Sequence, residues 1–278
     1  MKRMHRFTKL LLTVLLLACL IPALNIDAAA APITGTCGDS ITWTLDNGVL
    51  TLVGSGAMYD YDYDYGKTYD YTKAKAPWAK YTPQITSVKA DAGITHIGEM
   101  AFFRCTKLQS VSLPGVLTVG KRAFEGCTML GSVSLPAAVT VEDRAFSGCS
   151  RLAALEAPAV VSVGADAFSG TALQTVSLPA AKSVGKSAFA DCTHMTAADL
   201  PAATSIGNNA FSNCRNLQLV GLSSAKNLGE AVFAECHKLS SISLPKAVAL
   251  KKHVFLNCIA LTSADFPAVL AKIGRAHV

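Results

Sequence analysis

Cysteine is the most regularly placed reactive residue in this chain. Cys105, Cys127, Cys149, Cys192, Cys214, Cys236 and Cys258 recur at 22-residue steps with a single gap, while Cys19 and Cys37 stand outside the series. Thiols can bridge, bind zinc or act as nucleophiles, and spacing separates these uses. No C-x-x-C pair or Cys/His cluster occurs, so zinc has no ligand set here. Cysteines stacked one above another would lie within bridging range, yet parallel side chains do not reach the disulfide dihedral unaided. We read them as small buried hydrophobes, with cross-coil disulfides as the alternative.

The remaining reactive residues form no constellation. His96, His194, His237 and His253 fall at unrelated places with no Ser, Cys or carboxylate partner at catalytic spacing, which reads as isolated surface histidines. The chain contains no G-x-S-x-G, P-loop, H-E-x-x-H or post-strand G-x-G-x-x-G, and no carboxylate pair suited to acid–base work. No catalytic residue, cofactor or metal is expected. One stretch is unusual: Tyr59, Tyr61, Tyr63, Tyr65, Tyr69 and Tyr71 are six of the seven tyrosines and alternate with Asp60, Asp62, Asp64 and Asp70. Tyrosine gives large contact area for little rotamer entropy, so these six are candidate interaction residues on a solvated loop. A weak calcium site is the alternative, but an EF-hand register from Asp60 would place Tyr65 and Tyr71 where glycine and glutamate belong.

The elements that position these residues come from one repeated phrase, Gly-x-x-Ala-Phe-x-x-Cys-x-x-Leu-x-x-Val-x-Leu-Pro. Its phenylalanines are Phe102, Phe124, Phe146, Phe168, Phe189, Phe211, Phe233 and Phe255, 22 residues apart except for one step of 21. That period specifies a solenoid, because a 22-residue unit closes no core alone and must lay its apolar side on the next. Within Val119–Pro136, Leu130, Val133 and Leu135 point inward along a short strand and Pro136 ends it. Gly120 gives the backbone freedom to turn, and Ala123 and Phe124 follow in one short helical or 3₁₀ turn, with Cys127 facing the same interior. Glu142 and Lys251 stand at the glycine position in other units, so it does not demand positive φ. The 21-residue step falls at Phe168–Leu173, where the Cys and one residue are missing.

The outward position between the two core residues of each strand holds Ser112, Ser134, Glu156, Ser177, Asp199, Gly221, Ser243 and Asp265, and the preceding outward position is mostly Ser, Thr or Ala. This is a small, polar, faintly acidic surface without an aromatic. It is a candidate interaction surface of distributed contacts, or else merely solvated strand.

The A-F-x-x-C-x-x-L phrase at constant register, from about Cys37 to Lys272, resembles the BspA-like (Treponema pallidum type) leucine-rich repeat family of bacterial surface proteins. The resemblance implies a curved leucine-rich-repeat solenoid, β-rich, with the L-x-x-V-x-L strands as a parallel concave sheet and short strands or 3₁₀ turns on the other side. It also implies partners such as host extracellular proteins or other cells. Leaders with a hairpin and an Ala-Pro-Trp like Ala76-Pro77-Trp78 precede the repeats in that family.

Four segments are expected. Residues 1–30 read as a signal peptide, with Lys2, Arg3, Arg6 and Lys9 before an apolar run and Ala28–Ala30 at the cleavage site; lipoprotein processing at Cys19 is the alternative. That run is too short for a comfortable membrane span. Without these residues the balance falls from +6 to +3 (21 basic against 18 acidic), and no basic, aromatic-laced cluster marks a nucleic-acid partner. Residues 31–96 form an N-terminal cap, with Ile41–Leu45 and Val49–Leu52 a β-hairpin about Asn47-Gly48, then the Tyr/Asp loop and a degenerate first turn. Residues 97–272 hold the array. Residues 273–278, Ile-Gly-Arg-Ala-His-Val, are encoded by the opening of a widely used short-read sequencing adapter and are expected to be an artefact after a truncation. The functional expectation is an exported, monomeric, non-catalytic surface protein that binds proteins or a cell-surface ligand. A binding or spacer module of a larger secreted enzyme is the alternative.

Overall fold

The computed structural model describes residues 31–61 and 76–269. The signal-like residues 1–30, Tyr63, Tyr65, Tyr69, Tyr71 and the adapter-like end lie outside the described residues.

Two ladders of parallel strands run the length of the array. On one face, Ser87–Ala90, Ser110–Ser112, Ser132–Ser134 and Ala154–Glu156 pair in parallel, each residue opposite the one 22 or 23 positions further on. On the other, Ile94–Ile97, Thr118–Val119, Thr140–Val141, Ser162–Val163, Ser183–Val184, Ser205–Ile206 and Asn227–Leu228 form a continuous sheet that begins at Gly56–Ala57. The first face is interrupted. Thr175–Ser177, Ala197–Asp199 and Leu219–Gly221 form a separate three-stranded sheet, and Ser241–Ser243 with Ser263–Asp265 a two-stranded one.

The expected hairpin is present, its turn made by Asn47 at φ 45° and Gly48 at φ 80°. Its Trp43, Leu45, Leu50 and Leu52 are buried, and Trp43 packs edge-on against Trp78 at the first end of the array. An additional strand, Ile33–Gly38, pairs antiparallel with Ile41–Asp46, and Val49–Gly54 pairs in parallel with Ser87–Ala90. The leader therefore extends the first face edgewise.

The phenylalanines form one column. From Phe102 to Phe255 successive ring centroids lie 5.1–5.8 Å apart with planes within 11° of parallel. Rings in contact at that centroid spacing are offset rather than eclipsed, the arrangement that the ring quadrupoles favour. Trp78 stacks on Phe102 at 5.2 Å and closes the column, its Nε1–H donating to Ala101 O (2.7 Å). Trp43 and Tyr61 meet Trp78 edge-on. At the far end Phe266, which stands where earlier strands carry leucine, stacks on Phe255 at 5.6 Å.

The expected helical turn is not formed. The segment around each phenylalanine is instead a chain of reverse turns whose alternate N–H groups reach the next coil. Ala123, Glu125 and Cys127 donate to the carbonyls three residues back, whereas Arg122, Phe124 and Gly126 donate to Asp143, Ala145 and Ser147. This alternation requires two left-handed residues per coil, such as Arg122 at φ 54° and Gly126 at φ 75°. Gly120 does not supply the turning freedom expected of it; it lies outside the left-handed region, and a Cβ there would meet Ile97 O at 2.6 Å. Close approach of coils explains that glycine, and Arg122 makes the turn.

Phe146→Ala should remove about 3–5 kcal/mol from the unfolding free energy, since transfer and cavity terms add at a fully buried site. Urea denaturation measures this, and a loss below about 1 kcal/mol, the scale of an ordinary surface change, would contradict the column's role.

Candidate interaction surface

Each outward strand residue lands where the alternation places it. Ser112, Ser134, Glu156, Ser177, Asp199, Ser243 and Asp265 are all exposed along the first face, with Val133, Val176, Ala198 and Ile242 between them turned into the core. Side chains in this row touch along the register: Ser134 Oγ–H donates to Glu156 Oε2 (2.8 Å) and Ser243 Oγ–H to Asp265 Oδ2 (3.1 Å). Each carboxylate thus accepts one hydroxyl from the coil before it and keeps its other lone pairs for solvent or a partner.

The tyrosines do not join this row. Tyr59 is half exposed and its hydroxyl donates to Asp39 Oδ1 (2.6 Å), but it follows Gly56–Ala57, a strand of the second sheet. Tyr61 corrects the expectation of a solvated contact residue: it is buried against Trp78, because the chain turns into the cap there to cover the end of the aromatic column.

Two histidines are likewise not isolated. His96 Nε2 lies 3.0 Å from Asp60 Oδ1, which also accepts the Glu99 N–H (2.8 Å). His237 Nε2 lies 2.9 Å from Glu235 Oε2. Burial alone would raise the Asp60 pKa, but the Glu99 amide and His96 together outweigh it and hold the carboxyl below its ordinary range. Among the described residues no group of three or more His, Cys, Asp or Glu side chains could hold a metal ion.

All eight described cysteines are free, and the repeat thiols have a common task. Cys127 donates to Phe102 O (3.2 Å), Cys149 to Phe124 O, and Cys192, Cys214, Cys236 and Cys258 to Phe168, Phe189, Phe211 and Phe233 in turn. Each thiol ties its coil to the carbonyl of an earlier phenylalanine. In the short unit Thr171 occupies the thiol's position, buried, but its Oγ1–H donates within its own coil to Phe168 O (2.9 Å), the carbonyl that Cys192 also reaches from the next coil. Burial pushes the Cys105 thiol up to about 12, which makes it a poor nucleophile, whereas hydrogen bonds with Cys214 and Thr171 hold the Cys192 thiol below its ordinary value.

Features that the repeat phrase did not single out also line the molecule. Arg144 pairs with Asp166 (3.5 Å) and Arg122 with Glu125 (3.4 Å) beside a shallow groove of about 440 Å³ that Glu99, Lys121 and Asp143 complete. Burial raises the Glu125 carboxyl despite the surrounding Arg122, Arg144 and Arg104. Further along, Asn213 Nδ2 donates to Asp191 Oδ1 (2.6 Å) and Asn257 Nδ2 to Glu235 Oε1. Asp191, Asn213, Glu235 and Asn257 each stand two residues after a phenylalanine, a position held by Arg104, Gly126, Gly148 and Gly170 in the earlier coils. On the first face Leu219 and Gly221 depart from the polar row.

Stacked parallel strands, an inward leucine lattice and turn segments between them define a leucine-rich-repeat β-solenoid. The chain belongs to the BspA type leucine rich repeat region family, whose model matches residues 79–196 and 161–277. No curated protein matches it. Among solved structures, a leucine-rich-repeat protein of T. pallidum is 25% identical with 75% of this chain and 87% of that one covered, at a TM-score of 0.42. A leucine-rich cell surface protein of Faecalibacterium prausnitzii is 19% identical over 89% and 98%, TM-score 0.37. The pneumococcal vaccine antigen PcpA is 13% identical over 87% and 86%, TM-score 0.31.

Two outcomes follow from these contacts. A depressed carboxyl pKa stabilises the fold above the unfolded value and loses that contribution as pH falls, so Asp60→Asn should lower the thermal midpoint at pH 7, by an amount that shrinks as pH falls through the acid range; a loss that stays constant with pH would contradict the linkage. The repeat thiols from Cys105 to Cys236 are buried, so the native ladder should resist a thiol-labelling disulfide reagent at pH 8, with half-buried Cys258 reacting first. Mass spectrometry after brief labelling checks this, and fast labelling of Cys149 or Cys214 would contradict it.

Proposed function

We propose that this protein is exported and works at the cell surface as an interaction or adhesion module, binding other proteins through the first strand face without catalysing a reaction and acting as a monomer. The observation that carries the reading is the exposed row from Ser112 to Asp265, held in register by the coils behind it. A sheet ordered by its own core offers side chains whose positions cost little further entropy on binding. Family membership supports the repeat as a scaffold for binding, and the basic and apolar opening of the chain supports export. Among the described residues no helix is long and apolar enough to cross a membrane. The Tyr/Asp segment is the second contact element, with half-exposed Tyr59 following a strand of the second sheet rather than joining the row.

The test is binding of the purified chain to a panel of extracellular-matrix proteins and intact cells, measured by surface plasmon resonance and flow cytometry. A Ser134→Trp/Ser177→Trp variant fills the face with bulk while leaving every core residue in place. Saturable binding to a panel member is expected, lost in the variant while circular dichroism and thermal midpoint are unchanged. Binding indifferent to the two tryptophans, or no saturable binding to any panel member, contradicts the reading.

A further inference from the structure

Four departures from the repeat coincide on the first face at one coil. Leu219 occupies a position that is serine, threonine or alanine in the other coils of the array, and it is 68% exposed. Gly221, two residues on, is the one residue of its row without a side chain, and a Cβ there would collide with Asp199 Oδ1. Ser223 stands where the other array strands carry a terminating proline. Strand pairing also stops here, since Leu219–Gly221 pairs back to Ala197–Asp199 but not forward to Ser241–Ser243. The result is a notch: a leucine standing proud beside an empty glycine position, into which the neighbouring carboxylate is folded.

An exposed leucine on an otherwise polar, rigid sheet keeps apolar surface in water, and covering it is favourable. Charge indicates what covers it. From Ser110 to Asp265 the outward rows carry Glu156, Asp199 and Asp265 and no lysine or arginine. Asp199 is also free of the serine that occupies Glu156 and Asp265, because the residue before it in the row, Ser177, makes no such hydrogen bond among the described contacts. Arg151 lies in a turn before Ala154–Glu156, and Lys182 and Lys226 stand directly before Ser183–Val184 and Asn227–Leu228 of the second sheet. A cation set centrally on this face would meet only carboxylates.

We propose that this notch is the docking point of the face, and that it takes a protein surface presenting one large apolar side chain next to one lysine or arginine. The apolar group packs on Leu219 over Gly221 and the cation pairs with Asp199. This rests on the interaction-module reading and narrows it to a site and a partner chemistry.

The probe is a capped Gly-Leu-Lys-Leu-Gly peptide, titrated to millimolar concentration against the isotope-labelled chain and followed by amide chemical shifts. Short peptides bind weakly because they lose much conformational freedom, so a dissociation constant of order 1 mM is expected. Shifts should centre on Leu219, Gly221 and Asp199. Leu219→Ser and Asp199→Asn should each weaken binding roughly tenfold, as central anchors do. Replacing the peptide lysine by glutamine should have no further effect on the Asp199→Asn variant, which is the signature of a direct pair. Ile259→Ser, which removes the more exposed apolar residue outside the face, should change nothing.

Shifts centred elsewhere, no shifts at all, or equal loss with Ile259→Ser would overturn the assignment. So would a concentration-dependent dimer that Leu219→Ser dissolves, which would give the notch to a second copy of this chain. Failure here with matrix or cell binding intact removes only the notch. Loss of that binding as well removes the module reading itself.

Discussion

Stacking of one ring per coil is the constraint on which the molecule depends. Between Trp78 and Phe266 each aromatic contacts the ring before and after it, so no coil has a core without its neighbours. Aromatic contacts contribute about 0.5–1.5 kcal/mol beyond area burial, and burial of each ring about 1.5–3 kcal/mol. The coil that tolerates a shortened unit keeps its ring: Phe168 stacks on Phe146 and Phe189 at 5.4 Å on either side. Length is adjusted elsewhere, where Thr171 stands in for a thiol and strand pairing on the first face is interrupted.

The column also explains the chemistry of the cysteines. A phenylalanine carbonyl near the ring stack is shut away from water, and a buried carbonyl needs donors. Phe124 O accepts the Cys127 N–H within its own coil and the Cys149 thiol from the next. One backbone atom is thereby bound to two coils. Six of the repeat cysteines, Cys127, Cys149, Cys192, Cys214, Cys236 and Cys258, are thus fasteners along the column, and where burial dominates, as at Cys105 and Cys236, it also raises the thiol pKa.

Much of this was legible from residue types. The inward phase of Leu130, Val133 and Leu135, the Asn47-Gly48 turn and the outward row from Ser112 to Asp265 followed from alternation and period. The left-handed residues two before each phenylalanine did not. Arg122, Arg144 and Ala231 hold φ near 55° without the glycine or asparagine that usually marks such a turn, because the N–H of each donates to the next coil and the stack supplies what the residue does not. Tyr61 belonged by composition to the Tyr/Asp stretch and by structure to the cap, since an unfinished aromatic stack draws in the nearest ring. His96 and His237 found carboxylates that are distant in sequence or only two residues away, pairings that only the coil geometry brings about. The notch at Leu219 was visible as a list of exceptions, but its meaning required the exposure of that leucine and the interruption of the sheet beside it.

Native-state hydrogen exchange on a Phe189→Ala variant tests most directly whether coils are stable only through one another. Protection should fall not only in the altered coil but in those of Phe168 and Phe211 on either side, at the cross-coil amides of Phe168, Gly170, Phe211 and Asn213. Protection lost in the altered coil alone, with its neighbours unchanged, would show that the coils hold themselves and would contradict the account.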